Sequence, residues 1–133
     1  MLLKRVTYEL YEWEADQFTS RLPSGYDELR RQIRLESEDG TRIYISWSWG
    51  QRQRDYFIAH NHDNFFTDSP HAELDVSESP GWEALVGRET EVRYQDDSLQ
   101  VIEVRSNDLV VYCCSFWLDR VYVMLELRIP TDP

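Results

Sequence analysis

The sequence predicts a mainly β domain: an antiparallel curled sheet, sandwich or barrel of about eight strands, with one short helix. Three observations lead there. Apolar residues recur at every second position in several segments. Turn residues punctuate those segments at short intervals. Two stretches also read almost alike, IRLESEDGTRIYISWSW from Ile33 to Trp49 and IEVRSNDLVVYCCSFW from Ile102 to Trp117. Each is a strand, a polar Ser-x-Asp turn and a second strand ending in aromatics. Their offset raises the expectation of a sheet built from two related halves.

Arg5 to Trp13 alternates in part, with Val6, Tyr8 and Leu10 on one face and Thr7 and Glu9 on the other, so it reads as a strand. Asp16 to Tyr26 contains Pro23, Ser24 and Gly25 and reads as a loop. Tyr26 to Arg31 fits a helical turn or the approach to the next strand. Ile33, Leu35 and Ser37 then rise to a turn at Glu38–Thr41, whose Asp39-Gly40 pair is a strong hairpin signal. On the return, Ile43, Ile45, Trp47 and Trp49 share one face, and Arg42, Tyr44, Ser46 and Ser48 the other. Tyr56 to Ala59 forms a further strand after the Arg-rich bend Gln51–Asp55.

His60 to Ser79 is the longest polar stretch and reads as an external loop. A short helix is expected next. Ser79 would cap it, Pro80 suits its first position, Gly87 suits its end, and Trp82, Leu85 and Val86 would dock it on the sheet. Thr90–Tyr94 and Leu99–Arg105 read as strands. Leu109–Trp117 is apolar on both faces, as a central strand would be. Val121 to Ile129 alternates cleanly and ends at Pro130.

Composition bounds the function. A length of 133 residues suits one domain, residues 1–133, and 41% hydrophobic with 14% aromatic residues excludes a disordered chain. No apolar run approaches the roughly 20 residues of a membrane-spanning helix, and no signal-peptide pattern opens the chain. Cys113 and Cys114 are adjacent in an apolar strand and cannot readily bridge each other, which fits a reducing cytoplasm. The net charge is −11. Residues 1–66 carry 9 basic and 11 acidic side chains, and residues 67–133 carry 5 basic and 14 acidic. Such a surface repels phosphate backbones and anionic membranes and would steer a basic protein.

The three histidines, His60, His62 and His71, are interleaved with Asp63, Asp68, Glu73 and Asp75. Imidazole and carboxylate together can hold zinc, manganese or iron, and a divalent metal with an open position would activate water for hydrolysis. The spacing matches no established ligand pattern, and solvated loop residues are the plain alternative. Ser77 and Ser79 lack a nucleophile elbow, the Cys113 setting should raise its thiol pKa, and the five glycines form no phosphate cradle. The first expectation is therefore a non-catalytic protein with no required cofactor, a monomer or homodimer, that binds a basic protein partner. Asp68, Glu73, Asp75 and Glu78 would steer that partner, and Phe65, Phe66 and Trp82 would supply buried contact. The alternatives are a metal-dependent hydrolase using His60, His62 and His71, and a small-molecule-binding barrel with a cavity of about several hundred Å³.

Overall fold

Two antiparallel sheets of five strands each pack face to face in the computed structural model, which describes residues 1–49, 56–66, 71–116 and 119–128. In chain order the elements are β1 (Leu3–Leu10), α1 (Glu12–Ala15), β2 (Asp27–Leu29), β3 (Gln32–Ser37), β4 (Arg42–Trp49), β5 (Tyr56–Asn61) and β6 (Ala72–Asp75). A 3₁₀ turn at Trp82–Ala84 follows, and then β7 (Glu91–Tyr94), β8 (Val101–Ser106), β9 (Leu109–Cys114) and β10 (Val121–Met124). Sheet one runs β5-β4-β3-β1-β6 and sheet two β2-β10-β9-β8-β7. The sandwich form of the expectation is the one observed; the sheets do not close into a barrel.

The two like segments occupy like places. β3–β4 and β8–β9 are antiparallel hairpins, each at the middle of its own sheet. Around them β1-β3-β4-β5 and β7-β8-β9-β10 are each four neighbouring antiparallel strands, consecutive in the chain in the second sheet and interrupted by α1 and β2 in the first. The remaining strands cross over: β2 leaves the first half to join sheet two beside β10, and β6 lies beside β1.

The core between the sheets follows the alternation. Val6, Tyr8, Leu10, Ile33, Leu35, Ile45 and Ile58 meet Leu29, Ile102, Val104, Val111, Cys113, Val121 and Val123, all buried. β9 is the third strand of five and is covered on both faces. Val111 and Cys113 point to the main core, while Cys114 joins Tyr122, Met124 and Val101 in a second cluster with Tyr26, Tyr112 and Phe116. β1 crosses sheet two from side to side. The Leu3 amide donates to the Arg88 carbonyl at 3.0 Å beside β7, whereas the Tyr8 hydroxyl donates to Asp27 Oδ2 at 2.8 Å on β2.

Several expected elements differ. β1 ends at Leu10, and residues to Trp13 turn into α1. There Glu14 folds back to accept from the Tyr11 amide at 3.3 Å and reaches the Arg30 amide at 2.8 Å. Tyr26–Arg31 holds a strand, β2. The His60–Ser79 segment is not one loop: β5 extends to Asn61 and β6 lies within it. The last strand stops at Met124, with Glu126, Leu127 and Arg128 exposed; Ile129 and Pro130 lie outside the described residues.

The Ser79–Gly87 segment is a 3₁₀ turn rather than an α-helix because Gly81 has φ +91°, outside the helical region. The segment interrupts one long edge alongside β1. Val76 donates to the Val6 carbonyl and Gly87 to the Leu3 carbonyl, and between them the chain bulges inward to put Trp82 and Leu85 into the core. Trp82 Nε1 donates to the Tyr8 hydroxyl at 2.8 Å. A Cβ on Gly81 would stand 2.2 Å from a Leu125 methyl, whereas Gly40, at φ +88°, faces open space. Gly81→Ala should therefore destabilise the fold by about 3 kcal/mol, from backbone strain and overpacking together, and Gly40→Ala by about 1 kcal/mol, from strain alone. Paired urea titrations check this difference, and equal midpoints would contradict it.

Candidate functional site

The outer face of sheet one carries a row set by register, polar except at its last position. Glu73, Glu9, Gln32, Ser46 and Ala59 lie directly across from one another on β6, β1, β3, β4 and β5. Alternation alone would leave such a row in water. Here it is covered, because the segment after β5 folds back over it. Asn64 Oδ1 accepts from Gln32 Nε2 at 2.7 Å, the Phe65 amide donates to Gln32 Oε1, and the Phe66 carbonyl accepts from Arg31 Nη2 at 2.7 Å. The Phe66 ring lies 5.2 Å from the Arg31 guanidinium and 6.1 Å from the Trp47 ring.

Glu9 is the hub of this layer. Its buried carboxylate meets Arg31 Nη1 at 3.0 Å, Arg34 Nη1 at 2.8 Å and Gln32 Nε2 at 2.9 Å. Arg34 forks onward to Glu73 at 2.8 Å and approaches Glu36 at 3.3 Å. His71 Nε2 stands 3.2 Å from Glu73 and 3.5 Å from Glu9. Arg34, and after it His71, hold the Glu73 carboxyl down at about 2, so it is charged at any working pH.

This layer brings Phe65, Phe66, His71 and Glu73 together. Asp75 and Glu78 follow on the same edge and are exposed. Asp68 lies outside the described residues. Trp82 is a correction: at 0% exposure it fills the core and offers nothing to a partner, because the glycine-led turn carries it inward. The histidines do not converge. His60 is paired across from Ile45, on the face of sheet one that looks toward sheet two, and its ring lies 5.3 Å from Tyr94. Burial, and secondarily the neighbouring His62, lowers its pKa. His62 Nδ1 contacts the Arg42 carbonyl at 3.0 Å, and His71 stands on the outer layer. Among the described residues no three His, Cys, Asp or Glu side chains are grouped to hold a metal ion. Cys113 and Cys114 are both buried, and burial pushes the Cys114 thiol up to about 12.

β6 is one of the two edges of sheet one, the other being β5. The Val76 amide donates to the Val6 carbonyl, and Tyr8–Leu74 lies two residues along the same ladder. Antiparallel pairs alternate between bonded and unbonded. The register therefore turns the amides and carbonyls of Glu73 and Asp75 away from β1, where no backbone partner meets them among the described residues. Three of the four β6 residues are exposed, including Leu74 at 38%. Sequence patterns also missed Trp13, 53% exposed, stacked on Tyr11 and lying 5.3 Å from the Arg30 guanidinium. A lone Trp within a four-residue helix leaves no periodic trace.

Compared with known proteins, the chain matches no family model, no curated protein and no solved structure. Among the described residues no helix is long and apolar enough to cross a membrane.

Two outcomes follow from the layer. Glu9→Gln strands two arginines and should lower stability by about 3 kcal/mol in urea unfolding, more than a surface carboxylate would. The Glu73 pKa is depressed from 4.5 to about 2, so its contribution is complete above about pH 4.5 and is lost as pH falls toward 2. Acid titration of thermal stability should accordingly fall less steeply in Glu73→Gln than in the parent across that window. Parallel curves would mean the Arg34 contact contributes nothing.

Proposed function

We propose that the protein is a non-catalytic interaction domain that takes an extended, basic segment of a partner protein onto the free edge of β6. The observation that carries the reading is the outward-facing backbone of Glu73 and Asp75 with their carboxylates beside it. Within sheet one, Glu73 meets Arg34, and Asp75 comes within 3.9 Å of Arg5, on the β1 side. On the open side no described residue pairs with the strand. An added strand with basic residues at alternate positions would face those two acids, and an apolar residue between them would cover Leu74. Phe65 and Phe66, half-buried over Gln32 and Arg31 on the same outer layer, would form the flank of the contact. The acidic excess of residues 67–133 would steer the encounter. The two buried free thiols fit a reducing compartment such as the cytoplasm.

An alternating Lys-Val octapeptide carrying a fluorophore is the probe. It should bind the full chain by anisotropy, with an association rate that falls roughly tenfold from low to high salt. Glu73→Ala should weaken binding, and Glu73→Pro should remove it, since proline deletes an outward amide that β1 does not use. Binding that is salt-independent, or equal in the Ala and Pro variants, would refute edge addition.

A further inference from the structure

A second open edge lies in the opposite sheet, at a groove of about 1060 Å³. One wall is the inner face of β4–β5, with Ile43, His60 and His62. The other is β7 with the end of β8, and Arg88–Thr90 also line it. The Gln95 amide donates to the Val101 carbonyl, so 91, 93 and 95 are the residues of β7 and its end that bond to β8. Thr90, Val92 and Tyr94 turn their backbone groups the other way. Thr90 is satisfied: its amide donates to the Met1 carbonyl at 2.7 Å, and its carbonyl accepts from Met1 N at 2.9 Å. From Val92 onward the edge has no backbone partner among the described residues.

The groove is less acidic than the chain as a whole. Arg88, Arg93 and Arg105 line it against Glu89 and Glu91, on a chain of net charge −11. Glu89 is taken by the Met1 ammonium at 2.9 Å, and Arg93 and Arg105 share Glu103. Arg88 is exposed and makes no ion pair or side-chain hydrogen bond among the described residues. His60 and His62 add two imidazoles on the facing wall.

We propose that this groove binds an extended, acidic peptide segment of a partner protein by strand addition to β7. The free amides and carbonyls of Val92 and Tyr94 supply the ladder. Alternate acidic side chains point between the sheets toward His60 and His62, with Arg88 also lining the groove, and the intervening residues lie outward over Arg93. The inference is independent of the β6 reading, because its edge, its sheet and the sign of its ligand all differ.

The test uses the full chain and an alternating Glu-Val octapeptide read by fluorescence anisotropy. Arg88→Glu removes only a solvent-facing cation, and it should weaken binding at least tenfold with unchanged thermal stability. Val92→Pro should abolish binding where Val92→Ala retains it, which separates the outward amide from the side chain's packing. The Lys-Val peptide should not compete, and Glu73→Pro should leave the Glu-Val peptide bound, so failure at either edge is read separately. No binding at millimolar peptide, or equal affinity in Arg88→Glu and the parent, overturns the proposal. Concentration-dependent self-association that Arg88→Glu abolishes also overturns it, by assigning the groove to a second copy of this chain.

Discussion

A single buried chain of hydrogen bonds ties together parts of the molecule that are far apart in sequence. Trp82 Nε1 donates to the Tyr8 hydroxyl, and that hydroxyl donates to Asp27 Oδ2. Burial, and then Asp27 beside it, drive the Tyr8 phenol well above its usual pKa, so it keeps its proton and remains a donor. Asp27 accepts further from Ser20 Oγ and the Arg21 amide, which fixes the loop ahead of β2. Three polar groups sit between two apolar sheets and satisfy one another. Unpaired, each would carry a desolvation penalty of about 1–3 kcal/mol. The chain therefore tolerates one arrangement of β1, β2 and the Trp82 turn, and that arrangement sets how the sheets cross.

From that crossing come the two open edges. The long edge beside β1 is broken so that Trp82 can reach Tyr8, and the break leaves β6 as a short, isolated strand with its outward backbone free. The same segment re-enters at Gly87–Thr90, pairs with Met1–Leu3, and passes into sheet two as β7. The groove beside Val92 opens where that passage separates the sheets. Edge strands that persist on a folded domain invite pairing, and charged side chains are the usual protection against the wrong partner. The acids of β6 and the cations beside β7 select opposite partners by the same physics.

The strands with one buried face were legible because a period of two survives in sequence: Ile33, Leu35, Ile43 and Ile45 all lie on the core side as read. β9 was legible as central because both its faces are apolar. The reading failed where tertiary contact replaces local pattern. β6 carries only Ala72 and Leu74 on its core-side face, opposite Leu10 and Tyr8, so its four residues look like loop. The Trp82 segment has the caps of a helix, but Gly81 in its second position takes a backbone angle that no spacing rule reveals. Glu9 read as solvent-facing by parity, and parity was right about its face. What parity could not show is that Asn64 and Phe66, 32 and 35 residues beyond Gln32 and Arg31, return to bury that face. Contacts at such separation leave no signature in a single sequence. Leu85 and Trp82, by contrast, were expected to dock on the sheet and do so.

The choice of arginine over lysine has a geometric basis in this layer. Arg34 contacts Glu9, Glu36 and Glu73, and Glu36 in turn meets Arg5, Arg34 and Arg42. A planar fork with five donors can span several carboxylates at fixed angles, which a single ammonium cannot. The consequence reaches beyond stability. Cations on the sheet faces are consumed by such networks, while Asp63, Glu78, Asp97 and Asp108, on turns and connections, make no ion pair among the described residues and stand in water. The exterior field is therefore more acidic than the composition of the sheets alone would produce. Against that field Arg88, like Lys4 and Arg21, stands exposed without an ion pair among the described residues, and it could lower its energy by meeting a carboxylate. A protein that places most of its sheet arginines in shared forks keeps its remaining attraction for anions at a few exposed positions, and Arg88, beside the open backbone of β7, is one of them.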